Sequence, residues 1–448
     1  MEMAPSTVVV SVLLLVFLAF LATLYTVFWP PDFEERWSPP SGRKNRVATN
    51  WALLVAGSRS WENYRHQADV AHAFHLLREN GIPPENIVTM MFDDVANDPE
   101  NPHPGTLYND LSGRNYYSGL RIDYSGDKVN AETFLRVLEG TGEGKVINSG
   151  PEDNVLLFYA DHGGVGVLGM PVGRLVTRSD LIETLQRKKV AKGYRRLVVY
   201  LESCEAGSMF QDFPTELDVY AMTAANPFES SFAVLCPSWR PCLADEFSLS
   251  WMRDSETNGI YGRPLSQQFS NVKKETVASH VSEYGALEIR NDEIAEFQGS
   301  RRRGPSRTTP RRPSNSIPKN GNGYRRLRIQ DIPLEMARGN VTRTIEIEKK
   351  REMVIAVVRS IVESVVEKTL PKEVVSFFVR KRRPHSHLEC ASRTLTKFDE
   401  HCARFSENPF AFKYSFVFAN LCAWTREEAP IVTAMVSVCG GVLLEGTV

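Results

Sequence analysis

The chain has no excess of charge of either sign: 53 Lys and Arg stand against 54 Asp and Glu, a formal net charge of −1 over 448 residues. No global field therefore draws it to nucleic acid. Arg301, Arg302, Arg303, Arg307, Arg311 and Arg312 crowd one Pro/Ser/Asn-rich stretch. No aromatic platform or fold signature goes with them, so the stretch reads as a solvated linker rather than a nucleic-acid module. A metal motif is missing too. His66, His72 and His75 lie close in sequence, with His72 and His75 sharing a helix face, but no carboxylate motif accompanies them. No metal or other cofactor is expected.

Cysteine is sparse and odd in number: Cys204, Cys236, Cys242, Cys390, Cys402, Cys422 and Cys439. In a secreted protein three bridges leave one free thiol, a candidate reactive group. Cys236 and Cys242 flank a short Pro-containing loop, and the last four cluster near the C-terminus. Cys204 stands alone.

The N-terminus lacks charge from Thr7 to Trp29. This apolar run is long for a secretory core of about 7–15 residues and long enough to span about 30 Å of hydrocarbon. Glu2 precedes it, with no Lys or Arg, while Arg36, Arg43, Lys44 and Arg46 follow. An uncleaved anchor would then leave the rest in the cytosol, against the cysteine reading. A cleaved signal into the secretory pathway is the favoured reading, with membrane contact only if the segment stays. Residues 1–29 are thus signal or anchor, and 30–48 an N-terminal propeptide or linker.

Apolar runs at 51–58, 86–94, 154–164, 196–204 and 218–226 read as strands, and 66–81 and 179–189 as helices between them. Alternation of this kind predicts an α/β fold, a mostly parallel sheet with helices on both faces. Ligands bind such sheets beyond the carboxyl ends of the strands. "DHGG" and "LESC" both fall there, which puts His162 and Cys204 on one edge, from strands expected to be neighbours. An imidazole beside a thiol stabilises the thiolate, which attacks a carbonyl while the histidinium protonates the leaving amine. Gly163 leaves room for substrate, and its N–H can join that of Cys204 in an oxyanion hole. On residue types alone, an inert core thiol is an equal reading. The small residues after both motifs weigh against it.

"GSRSWENYRHQADVAHAF", "DDVANDPENPHPGT", "YADHGGVGVLGMP" and "LESCEAGSMF" resemble the legumains, also called asparaginyl endopeptidases or vacuolar processing enzymes. The resemblance runs from about Trp51 to Tyr284 and returns in the C-terminal cysteine region. It implies a caspase-like fold and a cysteine peptidase, made as a zymogen, that cleaves protein or peptide chains after asparagine and more slowly after aspartate. By it, Cys204 is the nucleophile, His162 the general acid/base and Asn63 the group that orients the histidine. Arg65, Glu202 and Asp245 form the specificity pocket, with Ser231 lining it. An asparagine side chain carries both a carbonyl and an amide, so a selective pocket needs donor and acceptors. Glu202, two residues before Cys204, is expected on the same strand face as the thiol.

From Glu346 the chain turns helical, with Val354, Val357, Val358, Ile361 and Val365 in one stripe. The cysteine-bearing remainder resembles the legumain prodomain, a helical cap over the active site that acts as an intramolecular inhibitor. The resemblance pairs Cys390 with Cys422 and Cys402 with Cys439. The expected division is a peptidase domain over 49–297, an activation linker over 298–345 and an all-α disulfide-stapled prodomain over 346–448. The linker is too polar to order itself alone. It offers Asn320 and Asn322, each followed by Gly, as sites of self-cleavage, then Asn315. Asn340, in "NVT", is the one N-glycosylation sequon.

The leading expectation is a secreted, vacuolar or lysosomal endopeptidase. A peptide ligase is the alternative, because the Cys236–Cys242 loop is short and Ala233 replaces a glycine common in plant hydrolases, although "GGVG" matches neither type. A transamidase-like membrane enzyme and a pseudo-peptidase scaffold are weaker. The C-terminal cysteine module and missing C-terminal apolar span count against the first, the intact His162 and Cys204 against the second.

Overall fold

The computed structural model describes residues 48–237, 240–300, 325–366, 372–382, 386–444 and 446. The apolar N-terminal segment, Asn315, Asn320 and Asn322 lie outside them. No described helix is long and apolar enough to cross a membrane.

The strands are β1 (Asn50–Ala56), β2 (Ile87–Met90), β3 (Asn154–Ala160), β4 (Gly163–Gly164), β5 (Val167–Leu168), β6 (Val176–Thr177), β7 (Arg196–Glu202), β8 (Val219–Thr223), β9 (Phe232–Cys236), β10 (Ala244–Asp245), β11 (Ser282–Gly285) and β12 (Arg325–Arg328). The main sheet has the order β11-β8-β7-β3-β1-β2. All its pairings are parallel except β11 on β8. Strand alternation divides its side chains between two cores. Ala52, Leu54 and Ala56 of β1 join Leu156 and Phe158 of β3 in one. Trp51, Leu53 and Val55 join Val155 and Leu157 in the other. Helices Tyr64–Glu79 and Glu246–Asn258 bury side chains in the first core, and helices Ala131–Glu139 and Arg178–Val190 in the second. The strands are apolar on both faces because both faces are covered.

The C-terminal region is a helical unit around its own core. Val354, Val358, Ile361 and Val362 of helix Val341–Val366 pack with Leu395, Phe398, Val417 and Met435. Val357 and Val365 sit at its edge, so the buried stripe is shifted slightly toward Val362 and Val366. Cys390 is bonded to Cys422 and Cys402 to Cys439, while Cys236 is bonded to Cys242. Val165, Val167 and Leu175 of the peptidase region enter this helical core.

The segment expected as a solvated linker is structured at both described ends. Gln298 closes helix Ala295–Gln298 and is fully buried. β12 pairs antiparallel with β9, placing Arg325 opposite Cys236 and Leu327 opposite Ala233. Ile329, Ile332 and Met336 follow it and are buried. The segment orders on an existing sheet edge rather than alone, and its average polarity hid three apolar side chains at useful spacing. The first cap helix likewise starts at Val341, ahead of the expected Glu346.

Candidate active site

β3 and β7 run side by side with Ala160 opposite Glu202. The chain leaves both at one edge, and the Asp161 N–H donates to Glu202 O at 3.0 Å. His162 and Cys204 therefore emerge from neighbouring strand ends. Cys204 is free and buried. β7 ends at Glu202, so strand parity does not reach Cys204, which lies in the following turn. Glu205 there adopts φ 50°. Gly163 must be glycine: a Cβ would come 2.7 Å from Ser203 Oγ and 3.0 Å from Cys204 O.

Asn63, at the start of helix Tyr64–Glu79, fixes the histidine. Its Nδ2 donates to Arg59 O at 2.8 Å, so its Oδ1 is the acceptor facing His162 Nε2 at 2.7 Å. The neutral imidazole then carries its proton on Nε2 and keeps Nδ1 basic. Beside it, His66 stands edge-on with ring centroids 5.2 Å apart. Its Nδ1 lies 2.6 Å from Ser58 Oγ. Burial, then the nearby Arg65, holds His162 well below the usual histidine range. Burial, then Glu205, pushes the Cys204 thiol up to about 12. In this closed form thiol and imidazole are both neutral.

A cluster of buried polar side chains adjoins them. Arg65 Nε donates to Asp245 Oδ1 at 2.8 Å, and the pair is almost wholly excluded from solvent. Glu202 Oε2 accepts from the Ser248 N–H at 2.9 Å and its hydroxyl at 3.0 Å, where the helix Glu246–Asn258 presents free N–H groups. Ser231 is buried beside Glu202 and favours its ionised form. Burial, then Asp245, still raises the Glu202 carboxyl well above its ordinary value. Arg65 Nη2, Glu202 Oε1 and Asp245 Oδ2 make no well-formed hydrogen bond among the described residues, with His66 Nε2 3.4 Å from Asp245 Oδ2 and the Ser231 hydroxyl close to Glu202.

The cap covers this site. Gln330 Nε2 lies 3.8 Å from Cys204 Sγ and donates to Ser230 Oγ at 3.4 Å. Arg351 donates to Gln330 O. Arg382 pairs with Glu205, next to the thiol, and Arg343 with Glu62 at 2.7 Å. Sequence reasoning missed Gln330, Arg382 and Glu205. Arg382 sits in a basic run like any solvated one, and nothing local marks Gln330. Of the three histidines weighed as a metal cluster, His72 contacts Glu256 and Asn109, His75 Nε2 contacts Tyr116 O, and His66 lies with Asp161 and His162, their ligand atoms within 4.8 Å of one another.

A thiol and an imidazole at the carboxyl edge of a mostly parallel sheet, closed by a helical cap, are the layout of a cysteine peptidase kept as a zymogen. Residues 50–300 match the Peptidase C13 family, and residues 342–439 match the legumain prodomain. The chain belongs to the Peptidase C13 family, whose members among its relatives include the legumains. It is 36% identical over 403 residues to the hemoglobinase of Schistosoma japonicum, covering 87% of this chain and 93% of that one. It is 36% identical over 446 residues to the vacuolar-processing enzyme beta-isozyme of Arabidopsis thaliana, covering 91% and 89%. With the legumain of Homo sapiens it shares 35% over 412 residues, covering 88% and 93%. It is a cysteine-type endopeptidase with an inhibitory C-terminal prodomain.

Proposed function

We propose that the peptidase cleaves chains after asparagine, and more slowly after aspartate, through an acyl-enzyme on Cys204. The observation that carries this is the set of unpaired pocket atoms. Arg65 Nη2 is a buried donor, and Glu202 Oε1 and Asp245 Oδ2 are buried acceptors. Leaving such groups without partners costs about 1–3 kcal/mol each. An asparagine side chain satisfies all three, its carbonyl on the arginine and its amide on the acids. Aspartate fits the same set only when protonated, in acid.

Once the cap leaves, water enters and the charged thiolate–imidazolium pair is no longer opposed by full burial. Cys204 Sγ attacks the carbonyl carbon, whose oxygen takes the electron pair and rests on the N–H groups of Gly163 and Cys204. As the oxyanion collapses the C–N bond breaks, and His162 gives its proton to the departing amine. Water then attacks the thioester, passing a proton to His162, and the acid product leaves the thiol restored. An incoming amine in place of water gives a ligated peptide. Ala233, opposite Asp245 in β9–β10, keeps that second reading open, with hydrolysis dominant in acid and ligation favoured nearer neutrality.

The working compartment is the acidic end of the secretory pathway, vacuole or lysosome, or the exterior. There Asn340 takes a glycan. It is exposed, and its Oδ1 is occupied by the Arg343 N–H at 3.0 Å, which leaves the amide nitrogen for attachment. Activated protein should cleave an Asn-containing fluorogenic peptide and give ligated product with a good amine acceptor. Cys204→Ala should lose on the order of 10⁶ in kcat while keeping its thermal transition. Near-normal Asn cleavage by that variant would sink the mechanism.

A further inference from the structure

Asp69 is fully buried on helix Tyr64–Glu79, one turn after Arg65 and on the same helix face. No step above uses it. Its two carboxyl oxygens are nonetheless committed. Oδ2 accepts from the Asp245 N–H at 3.2 Å, and Oδ1 accepts from Asn109 Nδ2 at 2.6 Å. Asn109 also donates to Leu243 O at 2.9 Å, so its Oδ1 is the acceptor that meets His72 Nδ1 at 2.8 Å. His72 Nε2 reaches Glu256 Oε1 at 2.9 Å. With both ring nitrogens donating, His72 is held as imidazolium, and Glu256 and Asn109 raise its pKa against burial. The result is a buried relay, Glu256–His72–Asn109–Asp69, that ends on the backbone of Asp245.

This placement has a strange cost. Asp69 adds a third buried carboxyl to Asp245 and Glu202, Asp161 is a fourth close to Asp245, and the one guanidinium, Arg65, is bonded to Asp245 alone among them. Burial, then Asp245, raises Asp69 well above the ordinary range. A core asparagine or serine would fill the space without a third acid. What the carboxyl adds is two oxygens in a fixed plane, one for each N–H donor that faces it, next to the Asp245 carboxyl with which it also interacts.

We propose that Asp69 is a positioning residue of the specificity pocket: it anchors the backbone of Asp245 so that the Asp245 carboxyl and Arg65 stand where an asparagine side chain needs them. This rests on the pocket reading given above. The relay fixes the strand end Ala244–Asp245 from behind, while Arg65 Nε fixes the Asp245 carboxyl from the front. Losing the rear anchor lets the carboxyl and the guanidinium drift together, because each is the other's partner.

The test uses full-length protein activated in acid. Asp69→Asn keeps the size but turns one acceptor into a donor facing another N–H. The expected outcome is a rise in KM for an Asn peptide of about tenfold, from one lost and one opposed hydrogen bond, with kcat nearly unchanged. Alkylation of Cys204 by iodoacetamide, which needs no pocket, should keep its rate. Should Asp69→Asn fail to fold, Asn109→Ser removes one donor while leaving Asp69, and should raise KM in the same way by less. Unchanged KM overturns the proposal, and so does an equal fall in alkylation, which would mark a general loss of structure. Glu202→Gln run alongside separates the two readings. If it spares Asn cleavage, the pocket itself is misassigned; if it impairs Asn cleavage while Asp69→Asn does not, only the positioning role fails.

Discussion

Asn63 Oδ1 faces His162 Nε2 at 2.7 Å, and the Arg59 carbonyl decides which end of that amide does so. The tautomer of the histidine is therefore set by a backbone oxygen two contacts away. Asn63→Ala should free the ring to rotate and to hold its proton on either nitrogen. A fall in kcat of about tenfold or more is expected, within the range that general acid–base help contributes. Asn63→Asp should instead stabilise the imidazolium and move the acid limb of the pH–rate profile. Wild-type profiles for both variants would remove Asn63 from the mechanism.

Glu202→Gln takes away an ionisable acceptor from the pocket while keeping its volume. Leaving a buried donor or acceptor unsatisfied costs roughly 1–3 kcal/mol. The loss in kcat/KM should fall mainly on Asn substrates. Equal effects on every cleavable residue would make Glu202 a structural partner of Ser248 and nothing more.

Acid should open the cap, and Arg382 with Glu205 is where the sign can be worked out. Burial raises the Glu205 carboxyl to about 7, and Arg382 works against that rise. The attraction of the pair is present above about pH 7 and is lost as pH falls through it. Because Arg382 lowers the Glu205 pKa in the closed form, the part of closure that depends on this cation is lost in acid. Burial acts the other way, since water reaches Glu205 when the cap leaves, so falling pH weakens only the Arg382-dependent part of closure. Arg382→Ala should shift the midpoint of activation upward by about half a pH unit or more. An unmoved midpoint in an activity-against-pH series would assign the trigger elsewhere.

Self-processing should shorten the purified proenzyme at about pH 4–5, near ordinary carboxylate pKa values. The new C-terminus should be Asn320 or Asn322, both followed by glycine. Mass spectrometry of the mature chain reads this directly. A different terminus, or normal processing in Cys204→Ala, would mean that another peptidase makes the cut.

The parallel sheet was legible because its strands are apolar on both faces, as in "LVVYLE", and the nucleophile because it follows such a run into small residues. Arg65 and Asp245 entered only through resemblance. They lie 180 positions apart, and no periodicity joins residues at that range. Asp69 carried a usable signal, four positions after Arg65 on a predicted helix, but buried acids are rare enough that spacing alone suggests a surface ion pair. The β9–β12 pairing could not be read locally at all. Whether a short basic strand pairs depends on an open edge nearly ninety residues earlier in the chain.

That pairing has a consequence for timing. β12 lies on the C-terminal side of Asn320 and Asn322, so cutting there leaves β12, Gln330 and the whole helical cap as one fragment. The nick severs the covalent tether without undoing a single β9–β12 hydrogen bond. Scission and departure are thus separable, like a bolt drawn on a door that is still wedged shut. A nicked molecule returned to neutral pH should run as one particle on a sizing column and stay silent toward peptides. Activity would then report the conjunction of two events, a past cut and a present acidity, and would be reversible in the second though not in the first.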